Sequence, residues 1–151
     1  MKQEKMHKYF MEVAKITSEL SNAKRKKVGA VLVKNGNIIS FGWNGMPSGF
    51  PNECEDDKNN TLKEVVHAEF NIISKIAKSS MNCEGADLYI TLSPCFECSK
   101  LLIQSRLNRI FYLEKYRDET PIDFLEKAGI ECYLFEDYIQ FLESMGDNDE
   151  K

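Results

Sequence analysis

The sequence predicts an α/β fold with a mixed five-stranded sheet and helices on both faces, and three features carry that prediction. Two β-rich runs are joined by an Asn-Gly turn, short apolar runs alternate with helical patterns further on, and amphipathic helical patterns open and close the chain.

The elements follow in order. From about Lys5 to Leu20, the residues Met6, Phe10, Val13, Ile16 and Leu20 recur at steps of three and four, which predicts a helix turning that face to a core. Val28 to Val33 and Asn37 to Trp43 flank Lys34-Asn35-Gly36 and predict a hairpin, because Asn and Gly tolerate the positive φ of a tight turn. Asn44 to about Leu62 is rich in Gly, Pro, Asn and acidic residues and reads as a long functional loop. A helix is predicted from about Lys63 to Ser79 on Val66, Ile72, Ile73, Ile76 and Ala77, and then a buried strand from Leu88 to Leu92. Ser93-Pro94 opens the next helix, with Leu101, Leu102 and Ile103 inward, before a strand from Ile110 to Leu113. Thr120-Pro121-Ile122-Asp123 caps a helix to Ala128, and Gly129 stops it before a strand from Ile130 to Phe135. A last helix spans about Asp137 to Met145, and the polar tail over 144–151 is predicted to fray. The strand-helix-strand crossovers predict parallel pairs, beside an antiparallel hairpin.

At 151 residues, with 42% hydrophobic and 29% charged, the chain is expected to form a single domain over 1–151. No signal-peptide core and no run of about 18 apolar residues is present, so a cytoplasmic protein without a membrane anchor is expected. The formal net charge of -4 disfavours a protein that grips nucleic acid. Lys24-Arg25-Lys26-Lys27 is a local exception able to meet a phosphate, although such runs are commonly just solvated.

Five cysteines is an odd count, and Cys95-Phe96-Glu97-Cys98 has the spacing of a metal or redox pair. Near a helix start two sulfurs three residues apart share one face, and the helix N-terminus favours their thiolates. With His67 they make three ligands, which suits a catalytic zinc keeping its fourth position for water. Glu69, two residues from His67, stands close enough to move protons without binding the metal. The pair alone is also compatible with a redox dithiol or a structural zinc knuckle, for which His7, Cys54, Cys83 and Cys132 are the spare ligands. Cys83 and Cys132 read most simply as small apolar fillers.

His67-Ala68-Glu69 and Pro94-Cys95-Phe96-Glu97-Cys98 match the His-x-Glu and Pro-Cys-x-x-Cys pattern of zinc nucleobase deaminases. With Val28-Gly29-Ala30-Val31, Gly42-Trp43-Asn44-Gly45-Met46-Pro47-Ser48-Gly49, His67 to Ile73 and Thr91 to Cys98 with Lys100, the chain resembles the deoxycytidylate (dCMP) deaminase family of the cytidine-deaminase superfamily, over roughly Lys5 to Phe135. The resemblance implies a three-layer cytidine-deaminase-like fold and hydrolysis of dCMP to dUMP and ammonia, supplying dUMP for thymidylate synthesis. It also implies a homo-oligomer, hexameric in the family, with dCTP and dTTP as effectors.

Carried to matching positions, it implies that Asn44 bonds the sugar and that Arg25 and Lys27 meet the 5′-phosphate. Backbone groups at Ala68 and Ser93 would read the pyrimidine edge, with Trp43 and Tyr112 as walls of the base pocket. Asn44 and the two aromatics also have plain structural readings, as a turn residue and as core. Trp43 stands where the family carries tyrosine, and Ala23 where relatives carry a cysteine for a second, structural zinc, which argues for one ion per chain.

Two other functions compete. Gly42-Trp43-Asn44 and Ser105-Arg106-Leu107 are similar to tRNA adenosine deaminases, but Asn71, Gly-Met-Pro-Ser-Gly after Asn44 and Ser93 before Pro94 favour the nucleotide enzyme. A non-catalytic zinc-stabilised interaction module would have no need of Glu69.

Overall fold

In the computed structural model, which describes residues 2–146, the element order is α1 (Lys2–Ser18), β1 (Gly29–Lys34), β2 (Asn37–Trp43), α2 (Ala68–Ala77), β3 (Asp87–Leu92), α3 (Phe96–Gln104), β4 (Arg109–Glu114), α4 (Thr120–Lys127), β5 (Glu131–Leu134) and α5 (Phe135–Ser144). The strands lie in the order β2-β1-β3-β4-β5. β1 pairs antiparallel with β2 and β3, while β3 with β4 and β4 with β5 are parallel. The hairpin turn has Asn35 at φ 52° and Gly36 at φ 78°, as the Asn-Gly signal requires.

Alternation along the strands divides the core in two. Ala30, Leu32, Leu88, Ile90, Ile110 and Tyr112 face Ala68, Ile72 and Ile76 of α2, Leu102 of α3 and Leu125 of α4. Val31, Val33, Tyr89 and Phe111 face Phe10, Met11 and Ala14 of α1, with Phe135 and Tyr138 of α5 packed alongside. The three-layer architecture predicted from the sequence is the one observed.

Four local expectations are corrected. The buried face of α1 is His7, Phe10, Met11, Ala14, Thr17 and Ser18, while Ile16 and Leu20 of the expected stripe are 69% and 54% exposed. The cause is a close approach: a Cβ on Gly29 would lie 2.3 Å from the Ala14 carbonyl oxygen and from the Ser18 nitrogen, so the helix rests on the sheet along its Ala14 and Ser18 side.

The second helix starts at Ala68 rather than near Lys63, because Val66 and Gly45 exchange backbone hydrogen bonds (3.0 and 2.8 Å) that keep the chain extended up to the N-cap, His67. The third helix starts at Phe96 with Cys95 as N-cap, so Pro94 lies outside it. The fourth has Glu119 as N-cap, and Asp118 accepts hydrogen bonds from the Thr120 N–H and hydroxyl instead of Thr120 capping Asp123. Past Ala128, Gly129 takes φ 92°, the expected left-handed stop. The part of the expected frayed tail beyond residue 146 lies outside the described residues.

Antiparallel pairing of β1 with its neighbours brings Val28 at the head of β1, Asn44 past the end of β2, Ser93 past β3 and Lys115 past β4 to one edge of the sheet. The candidate site forms there, as is usual at the carboxyl ends of parallel strands.

Candidate metal centre and active site

Two helix starts meet at this edge. His67 is the N-cap of α2 and Cys95 the N-cap of α3, both extended. The Cys95 sulfur accepts the Cys98 N–H at 3.4 Å, the bond a Ser or Asp oxygen makes at an ordinary helix start. This clamp sets both sulfurs toward the same point. His67 Nδ1 lies 3.3 Å from Cys98 Sγ and 3.5 Å from Cys95 Sγ. Tetrahedral ligation with ordinary Zn–S and Zn–N lengths puts nitrogen and sulfur about 3.6 Å apart, so the donor set and its spacing fit zinc. Among the described residues this is the one group of three or more His, Cys, Asp or Glu placed to hold a metal ion.

The electrostatics agree. A hydrogen bond from Cys98 holds the Cys95 thiol down at about 4, while sharing that proton and burial push Cys98 up. The shared proton thus favours the thiolate form of Cys95, the sulfur 3.5 Å from the imidazole nitrogen. Glu69, 4% exposed in the first turn of α2, has its carboxyl raised to about 7 by burial.

A cavity of about 400 Å³ opens over these groups, with His67, Ala68, Glu69, Ser93 and Cys95 on its floor. Its walls bring Asn44, Arg25, Lys26, Glu55, Lys115, Tyr116 and Arg117 to the same space. Asn44 is held at both ends of its amide: Oδ1 accepts from the Val28 N–H (2.9 Å) and Nδ2 donates to the Lys26 carbonyl (2.9 Å). It therefore fixes the basic segment on the wall, with one lone pair and one hydrogen to spare for a ligand. Ser93 spends its N–H on the Glu114 carbonyl (2.9 Å), and its hydroxyl accepts from the Tyr116 N–H (2.7 Å).

Three expected substrate contacts are not among the lining residues. Lys27 points toward Glu19, 4.0 Å away, while its neighbours Arg25 and Lys26 line the cavity. Tyr112 is 8% exposed in the core between the sheet and α2 to α4, the usual lot of a strand aromatic. Trp43 stacks on Phe41, ring centroids 6.2 Å apart, with Lys75 over both rings. Conversely, Lys115, Tyr116 and Arg117 escaped sequence reasoning. Their one available signal was their place just after a parallel strand.

Lys26 pairs with Glu114 (2.5 Å) and Lys115 with Glu119, whereas among the described residues neither Arg25 nor Arg117 pairs with a carboxylate. Among the described residues, too, no helix is long and apolar enough to cross a membrane.

Comparison with known proteins agrees with this arrangement. Residues 4–114 match the model of the cytidine and deoxycytidylate deaminase zinc-binding region. The chain is 40% identical over 121 residues to a probable deoxycytidylate deaminase of Caenorhabditis elegans, an alignment covering 76% of this chain and 60% of that protein. It is 32% identical over 166 residues to the deoxycytidylate deaminase of Enterobacteria phage T4, covering 82% of this chain and 86% of the phage protein. A crystal structure of the dCMP deaminase from the cyanophage S-TIM5, in complex with dCMP and dUMP, superposes with a TM-score of 0.84 at 42% identity, covering 86% of this chain and 97% of that one. With the family model matched across both metal-ligand segments, the chain belongs to the cytidine and deoxycytidylate deaminase family.

Proposed function

We propose that this chain is a zinc-dependent deaminase that hydrolyses dCMP to dUMP and ammonia. The observation that carries the reading is the convergence of His67, Cys95 and Cys98 beside the buried carboxyl of Glu69, under a cavity with a cationic wall. Its likeness to enzymes named for dCMP supports the substrate. Residues 1–151 would act as one deaminase domain.

Zinc held by the three ligands supplies Lewis acidity and a water of lowered pKa. Glu69 takes a proton from the attacking water and hands it to the ring nitrogen next to the reacting carbon. It then takes the remaining proton from the hydroxyl added to that carbon and gives it to the amine, which leaves as ammonia while the hydroxyl becomes the product carbonyl. A carboxyl with pKa near the working pH suits a group that must both take and give. Ala68, first residue of α2, offers an N–H with no partner inside its helix, and Ser93 offers its carbonyl. These meet the pyrimidine edge. Asn44 directs its spare amide hydrogen to the sugar, and Arg25 with Arg117 takes the 5′-phosphate, in place of Lys27.

The test is an ammonia-release assay across dCMP, CMP, dCTP, deoxycytidine and a tRNA anticodon hairpin, with and without dCTP or dTTP. The reading expects turnover of dCMP and strong discrimination against deoxycytidine, because a site built around charged phosphate partners loses them together when the phosphate is missing. Equal rates for the two would remove the phosphate assignment, and preference for the hairpin would establish the tRNA reading. The same experiment reads the effectors expected from the family, and sedimentation of the purified protein reads the expected homo-oligomer.

A further inference from the structure

We infer that Glu55 is a positioning residue for phosphate recognition: its carboxylate, held by a tight loop, fixes the backbone that presents Arg25 to the cavity. The inference rests on the dCMP reading above and assigns a role to a residue outside the motifs.

Residues 19–28 contain no helix or strand, yet Arg25 and Lys26 of this segment line the cavity. A cationic loop without regular structure recognises a phosphate well only if something else orders it beforehand, since ordering it on binding costs affinity. Here the ordering comes from polar ties. Glu55 Oε2 accepts both the Lys24 N–H (2.9 Å) and the Arg25 N–H (3.1 Å). Asn22 donates to the Asn52 carbonyl (3.2 Å), and Ser21 donates to the Asn44 carbonyl (2.8 Å). Of these ties, the one from Glu55 is the one that grips the backbone of Arg25 itself.

The grip is useful because Glu55 is itself fixed. It forms a bridge with Thr61 across a short loop, and the Leu62 N–H bonds the Cys54 carbonyl at 2.8 Å. Inside the loop Asp56 Oδ1 accepts the N–H groups of Lys58 and Asn60 at 2.9 Å each. The neighbouring Cys54 is buried at 1% exposure beneath it. Both ends of the tie are therefore anchored, and the Arg25 side chain, pairing with no carboxylate among the described residues, is left to a ligand.

Hydrogen bonding, not charge, is the function assigned. A carboxylate on the wall of a phosphate site repels the phosphate, so its presence there is explained by the two N–H groups it satisfies. Glutamine offers one oxygen in the same place, and one oxygen is what both N–H groups use.

The experiment measures KM and kcat for dCMP, and kcat/KM for deoxycytidine, in the wild-type chain and in E55A and E55Q, with zinc content of each. Expected is a rise of about tenfold or more in KM for dCMP in E55A, with kcat and zinc content little changed and deoxycytidine turnover unaffected. E55Q should restore the wild-type KM or fall below it. The inference is overturned if E55A keeps the wild-type KM, if dCMP and deoxycytidine suffer equally, or if E55Q is as impaired as E55A. Should E55A not fold, E55D decides: it keeps the charge but shortens the reach, so its KM must rise while that of E55Q does not. A wild-type chain inactive on dCMP overturns the substrate reading and this inference with it, whereas an active one indifferent to E55A overturns the inference alone.

Discussion

Glu69 is a carboxyl at 4% exposure that, among the described residues, pairs with no lysine or arginine, and burial is the largest cause of its raised pKa. A structural glutamate would rarely be left so. Glu69→Gln should keep zinc, since glutamine has the same shape and the three ligands are untouched, and should lose at least about 10² to 10⁴ in kcat with dCMP. A variant that still releases ammonia at near wild-type rate would remove the assigned role. Cys95→Ala acts differently, because it deletes both a ligand and the acceptor at the start of α3. Metal analysis should find its zinc lost, together with activity. At this scale the sequence was legible: the spacings His67-x-Glu69 and Cys95-x-x-Cys98 are local, and a local pattern survives whatever the rest of the chain does. Lys27 and Lys26 were not separable by that means, since which of two adjacent lysines turns inward depends on where Asn44 and Glu55 tie the backbone.

At the scale of elements, α1 shows how packing overrides periodicity. Two stripes are available on that helix, one of larger apolar residues and one of Phe10, Met11, Ala14 and Ser18, and the second wins because the helix backbone rests directly on Gly29. Adding a Cβ at Gly29 would place it 2.3 Å from both the Ala14 carbonyl oxygen and the Ser18 nitrogen, which are backbone atoms that cannot rotate away. Gly29→Ala is therefore expected to lower the stability of the protein by about 1–3 kcal/mol or more, read as a lower denaturant midpoint. An unchanged midpoint would show that α1 is free to shift. The helix starts at His67 and Cys95 were similarly invisible in apolar spacing. The first is set by the bridge between Gly45 and Val66, which joins residues far apart in sequence.

Over the whole molecule, the face opposite the one carrying α2, α3 and α4 holds a buried histidine. His7 is 5% exposed, its Nδ1 lies 2.6 Å from the Tyr89 hydroxyl, and aromatic rings of Phe111 and Tyr138 surround it. Burial first, and then the nearby Arg109 charge, lower its pKa to about 4, with Asp87 opposing. The unfolded chain therefore binds a proton between pH 6.5 and 4 that the folded chain refuses. Stability contributed by neutral His7 is whole above pH 6.5 and is lost as pH falls toward 4. Denaturant midpoints measured from pH 7 to pH 4 should fall more steeply for the wild type than for His7→Gln, which keeps a polar partner for Tyr89 and does not titrate. Parallel slopes would show that His7 takes up its proton without opening the fold.

The sequence by itself determined the order of elements, the hairpin and crossovers, and the identity of the groups that suit zinc and proton transfer. Each of these depends on spacing within a few residues, where chain connectivity already limits the geometry. Only the tertiary structure decided which side of α1 is inside, that Tyr112 belongs to the core and Trp43 to a stack with Phe41, and that Arg25, Lys115, Tyr116 and Arg117 share one cavity. Those outcomes depend on contacts between segments distant in the chain, made possible by the pairing of β1 with β3, and no local period encodes them.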